Sequence, residues 1–209
     1  MKREYYIGLF LIIIVAIALY FFFIKKDEGV IIDIGTEGET TEFSDEDLSR
    51  FAKVFPDFSI PVSYNKDLSD DVVGILKKKI EDSVAILIED NTNYEVWLDL
   101  SSQYKIAGDL EKTEKVWNFL LYINPNDAVI LNNLGNLYHF EHKKYEEAEE
   151  YFNRALEVDP KNVLTYKNLF DLYSLSYKTD TNLAKDILEK GIAETGSPEL
   201  EQELKKYLE

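Results

Sequence analysis

The chain has no cysteine, two histidines, one methionine and five prolines in 209 residues. Without cysteine there can be no disulfide, thiolate metal site, cysteine nucleophile or lipid on sulfur, and the redox compartment is left undetermined. Basic residues are also scarce, 23 against 40 acidic ones. The first 26 residues take four of the basic and one of the acidic residues, so nineteen basic face 39 acidic residues in the rest, a net charge of -20. Such a body repels nucleic-acid phosphates and attracts basic partners at long range. Acidity of this kind also serves plain solubility on solvated helix faces.

Groups that could carry chemistry are few. His139 and His142 lie three apart around Glu141, a spacing that shares one helix face, but two ligands without a third make a poor zinc site. Glu146, Glu147, Glu149 and Glu150 surround Ala148 on a helix whose inner positions are Tyr145, Ala148, Phe152 and Ala155, and so read as a solvated outer face. Asp45, Asp47 and Ser49 alternate like calcium ligands, yet the turn glycine is missing and Pro56 stands at the closing position. No glycine loop for phosphate or dinucleotide is present. The expectation is a non-enzyme with no metal and no cofactor; a metal-dependent enzyme is the weakest alternative.

What the chain has is one long apolar run and a spacing pattern. Tyr5 to Ile24 is twenty residues without charge between Lys2, Arg3 and Lys25, Lys26, and fourteen of them are Leu, Ile, Val or Phe. As a helix it would be about 30 Å long, the thickness of a bilayer's hydrocarbon. Residues 1–26 are therefore expected to be a transmembrane anchor in contact with lipid through 5–24. A cleaved signal peptide, with Ala16 and Ala18 as the small pair, fits less well because hydrocarbon-compatible sequence continues through Ile24. The flanking positive charges favour, by a slight margin, the N-terminus inside and the remainder outside the cytoplasm.

Residues 27–43 are rich in Gly, Asp, Glu and Thr and read as an acidic flexible linker, although Val30 to Ile34 is apolar enough for a short strand. Residues 44–93 are expected to hold two capping helices. Ser44 and Asp47 resemble a capping box before Leu48, Phe51, Ala52, Val54 and Phe55, and Pro56 stops that helix. From Ser69 to Glu89, Val72, Val73, Leu76, Ile80, Val84, Leu87 and Ile88 recur at helical spacing.

Beyond residue 93 residue types repeat. Trp97, Leu100, Ser101 and Tyr104 are followed by Leu131, Leu134, Gly135 and Tyr138 at an interval of 34, whereas Thr113 to Ala148, Trp117 to Phe152 and Pro125 to Pro160 are 35 apart. The second copy thus has one extra residue, expected in its middle turn. Tyr166, Leu169 and Tyr173 start a third copy, with Ala184 and Leu188 delayed to 36 after Ala148 and Phe152 and bulky Phe170 at the small position. Small residues permit close helix contact, aromatics fill the wider gaps, and proline ends each pair.

The pattern resembles the tetratricopeptide repeat family. The resemblance implies an all-α, right-handed helical solenoid with repeats at 94–127 and 128–162, a divergent third at 163–196, and a terminal capping helix at 197–209 started by Ser197 and Pro198, with Leu200, Leu204, Tyr207 and Leu208 inward. It also implies that the first helix of each pair lines a concave groove. The stripes there would be Leu98, Ser102, Lys105; Asn132, Asn136, His139; and Lys167, Asp171, Ser174, with Ile106, Phe140 and Leu175 beside them. Such a groove suits an extended peptide or a partner helix. Some family members clamp a terminal carboxylate; Asn133 fits, but Leu98, Ser102, Leu164 and Asn168 do not. The expected function is a membrane-anchored scaffold for other proteins, with self-association as the alternative.

Overall fold

The structure is a computed structural model that describes residues 31–33, 40–42, 53–90 and 92–209. The expected membrane anchor and nearly all of the expected helix over 44–55 lie outside the described residues. Among the described residues no helix is long and apolar enough to cross a membrane. In the linker stretch, where the sequence offers a short strand at Val30 to Ile34, Ile31–Asp33 (β1) pairs antiparallel with Thr40–Glu42 (β2), Ile32 opposite Thr41. All other described regular structure is helical. Contacts divide the chain into Met1–Ile123 and Asn124–Glu209.

In the first unit, Asp70–Glu89 (α1), Tyr94–Ala107 (α2) and Leu110–Ile123 (α3) run in sequence. Ser69 caps α1 and Asn93 caps α2, each accepting a backbone N–H three residues on and so satisfying donors that the helix leaves open. α1 packs on α2, as expected of a capping helix, but through Leu76, Ile80, Ser83 and Leu87. Val72 and Ile88, which share the helical spacing of the apolar positions, are exposed. The Gln103 amide donates to the hydroxyl of buried Ser83 at 3.1 Å, which fixes α2 against α1.

The α2–α3 hairpin explains the substitutions in the first repeat copy. Ser101, at the small position, accepts the indole N–H of Trp117 at 3.0 Å, so that a buried tryptophan keeps a partner. Thr113, where the resemblance calls for alanine, is fully buried and donates to the Asp109 carbonyl at 2.9 Å. Phe55 and Phe58 from the preceding segment pack on Trp97, Phe58 stacked at 5.9 Å and Phe55 edge-on at 6.2 Å. That segment is held by Asp109, whose carboxylate caps α3 through Lys112 N–H and accepts Ser63 N–H at 2.8 Å. Gly108, at φ 88°, makes the tight turn between the helices.

The second unit contains Ala128–Asn136 (α4), Tyr145–Val158 (α5), Val163–Asp171 (α6), Leu183–Thr195 (α7) and Pro198–Leu208 (α8). α4 runs on without a break as a π-helical turn, Leu137–His142, and α6 as another, Leu172–Ser176. The first of these corrects the placement of the extra residue. The α2–α3 and α4–α5 connections are both two residues long, at 108–109 and 143–144, whereas α2 has 14 residues and α4 with its π-turn spans 128–142. The insertion is therefore carried inside the helix, where a wider turn accommodates one more residue. The third hairpin, beside its own π-turn, lengthens its connection, 177–182, and α7 starts late, as the spacing of Ala184 and Leu188 requires.

The core of this unit is Ala148, Phe152, Leu156, Tyr166, Leu169, Phe170, Leu172, Leu188 and their neighbours, all buried. Gly135 lies at a close approach of α4 and α5: a Cβ there would come within 2.5 Å of the Phe152 ring. Gly191 has the same role between α7, Tyr166 and Leu200, with ring and methyl carbons 2.7 Å from a would-be Cβ. At the end of the unit Ser197 caps α8 and Pro198 opens it. Leu200 is fully buried, but Tyr207 and Leu208, expected inward, are exposed.

Candidate functional site

The side chains of α4 and α6 carry most of the expected groove, and two polar contacts hold these helices side by side. Asn132 Oδ1 accepts from the Thr165 hydroxyl at 3.1 Å and from the Asn168 amide at 2.9 Å, and all three residues are buried. Further along, His139 Nε2 bonds the Ser176 hydroxyl at 2.9 Å. Asn132 and His139 are therefore joints between helices rather than groove-lining groups. Both are polar side chains whose partners lie about 35 residues away in sequence, which a periodic pattern does not reveal.

The other expected site residues divide by exposure. Asn136 and Asp171 are half-buried, and burial, followed by the nearby Glu203 carboxylate, pushes the Asp171 carboxyl pKa up. Lys167 forms an ion pair with Glu199 at 2.6 Å, which raises its pKa. The Ser174 hydroxyl is buried without a hydrogen-bond partner. Phe140 is 53% exposed and its ring lies 4.0 Å from that of His139, nearly parallel. In the first unit Leu98 is half-buried, Ser102 bonds back to the Leu98 carbonyl at 2.9 Å, and exposed Lys105 sits over the Trp117 ring at 5.8 Å.

The open surface is turned from the expected one. Val129, Asn136 and Phe140 on α4, and Leu164, Asp171 and Leu175 on α6, follow offsets of seven and four, which keep each trio on one side of its helix. Val129 is 52%, Leu164 56% and Leu175 72% exposed. Each helix thus shows an apolar, a polar and an apolar position in turn. Val129 and Leu164 were missed because the repeat pattern marks buried positions, and these come before its first landmark.

Within this frame residues 128–162 enclose one complete hairpin, from the Asp127 cap to the loop after Pro160. They match the family model of the tetratricopeptide repeat. No curated protein matches the chain. Tetratricopeptide repeats mediate contact between proteins, and the unit built on this one consists of its α4–α5 hairpin, the divergent α6–α7 hairpin and α8.

Among the described residues no three His, Asp or Glu side chains are arranged to hold a metal ion. His142 lies edge-on to the Tyr138 ring at 5.2 Å. The glutamates of α5 are less uniformly solvated than expected: Glu149 accepts from Lys178 at 2.8 Å and from the Tyr173 hydroxyl at 2.7 Å, and Glu146 from the Tyr177 hydroxyl at 3.3 Å. Burial and then the Glu149 contact push the Tyr173 phenol up. In the first unit a recess of about 150 Å³ is bordered by Asp57, Tyr104, Asp109, Lys112 and Lys115. Burial and then Asp109 push the Tyr104 phenol up to about 12.

Proposed function

We propose that the protein is a membrane-tethered, non-catalytic scaffold that binds a peptide segment or helix of another protein on the open face of α4 and α6. The observation that carries this is the doubled stripe: Val129 with Leu164 and Phe140 with Leu175 put exposed apolar side chains at matching registers of two adjacent helices, with Asn136 and Asp171 between them. Apolar anchors supply burial on binding, and the polar groups between them fix register. The acidic character of the chain favours a partner with basic flanks. Ser102, Lys105 and Ile106 on α2 form a comparable, smaller surface in the first unit.

The test uses a Leu164→Asp, Leu175→Asp variant, which alters two exposed side chains and leaves the core untouched. Proteins captured by the native chain in parallel with this variant are expected to fall into a set lost by the variant, with the circular dichroism of the two unchanged. An identical captured set would remove this face from the function.

The tether rests on residues 5–24 and their flanking lysines and arginine. In this reading the repeats lie outside the cytoplasm. Reporter fusions at the C-terminus, assayed on both sides of the membrane, decide the side, and extraction of the chain by carbonate from a membrane fraction would remove the tether.

The exposed Tyr207 and Leu208 at the end of α8 support a second reading, self-association through that helix. Light scattering over a range of concentrations separates the two, since a monomer throughout removes the second.

A further inference from the structure

The two π-turns meet at one titratable side chain. His139 is 2% exposed, its Nε2 is bonded to Ser176 at 2.9 Å, and its Nδ1 is buried with no hydrogen-bond partner. A neutral imidazole has one N–H and one bare nitrogen; the cation has an N–H at both. With the proton on Nε2, neutral His139 leaves only a lone pair unmatched. The cation would place a charged N–H at Nδ1 with no acceptor in reach, a costly arrangement away from water.

We propose that the His139–Ser176 contact is an acid-released latch between the π-turns of α4 and α6, closed while the imidazole is neutral and opened when it becomes a cation. No acceptor stands within hydrogen-bond distance of Nδ1. On its own element the Phe140 ring is stacked over the imidazole, Glu141 and Lys143 are exposed, and His142 is turned to Tyr138. From α5, Tyr145 presents its ring edge at 6.0 Å, while Glu146 and Glu149 are drawn off to Tyr177, Tyr173 and Lys178. From α6 come the Ser176 hydroxyl, bonded to Nε2, and Tyr177, against Tyr145 at 6.1 Å. Burial alone lowers the His139 pKa below the ordinary imidazole value of 6.5.

The sign follows from which state takes the proton first. An opened ring titrates near 6.5, above the closed ring, so the latch keeps its full stability above that pH and loses it as pH falls toward the closed ring's own pKa. Between those limits the ratio of open to closed forms rises by at most about tenfold per pH unit. Opening frees the π-turns that carry Phe140 and Leu175, but the latch itself does not depend on any partner binding there.

The experiment follows the full chain in detergent micelles by imidazole NMR and by amide-exchange protection at 137–142 and 172–176, from pH 7.5 to 5. His139, assigned with His139→Gln, is expected to titrate below 6.5. Protection in both π-turns is expected to fall with pH in the native chain by up to about tenfold per unit, and to stay level in His139→Gln, which keeps a donor for Ser176 but cannot ionise. A His139 midpoint at or above 6.5, or the same pH trend in both proteins, overturns the latch. If His139→Gln does not fold, the native midpoint alone decides, with assignment through His142→Gln.

Discussion

Gly74 and Gly135 both sit inside helices, and the same substitution should move them in opposite directions. A Cβ at Gly74 on α1 meets nothing within 4 Å, so Gly74→Ala should stabilise by about 0.5–1 kcal/mol through lost unfolded-state freedom. At Gly135 the Phe152 ring has no room to retreat in a packed core, and Gly135→Ala should destabilise by roughly 1–3 kcal/mol. Thermal or urea unfolding of the two variants measures both. Gly135 was legible in the sequence because it recurs at the offset of Ser101. Gly191 lies 36 residues after Ala155, the same delay as Ala184 and Leu188, and carries the same signal. Asn132 was not legible in its true role. Asn132→Ala should cost about 1–3 kcal/mol, because it leaves Thr165 and Asn168 buried without their acceptor. A side chain on the open surface would give a change near zero in the same unfolding measurement.

At the scale of elements, the helix ends were the most readable features. Ser197 caps the last helix and Pro198 opens it, as read from the sequence, and Ser69 and Asn93 cap theirs by the same local chemistry. The connections are less so. Lys143 takes the left-handed turn, φ 54°, that Gly108 takes in the first hairpin, a conformation that a side chain disfavours by about 1–2 kcal/mol. Lys143→Gly should therefore raise the unfolding midpoint, while Gly108→Ala should lower it, with strain at φ 88° and a Cβ only 3.1 Å from that of Asn65. Which faces are open was half readable. The repeat pattern names the buried positions, and stripes drawn beside them at offsets of four and three passed through Asn132 and His139, which are covered by the neighbouring helix. Phe55 was read as an apolar position of the helix before Pro56, whereas Phe58 could not be placed from periodicity, because it lies in an irregular segment that packs on Trp97.

For the whole molecule, composition spoke about charge and the apolar leader, and the repeats spoke about fold; neither named a partner. If a basic segment is what binds, its association rate should fall steeply as salt is raised from about 0.01 to 0.5 M, the range over which the screening length shortens from about 30 Å to a few ångströms. Stopped-flow mixing with the captured partner measures this, and a rate indifferent to salt would point to the apolar stripe as the main attraction.

Both hairpins of the second unit contain a widened helical turn, but only the second also extends its connection. They are consequently not interchangeable modules. A chimera that trims the α4–α5 hairpin at 143–144 to restore the 34-residue period would cut into a connection already at its minimum and leave the real surplus in place. Shortening within Leu137–His142 would remove the surplus itself, but it would also shift the register of buried Leu137 and His139 and break the His139–Ser176 contact.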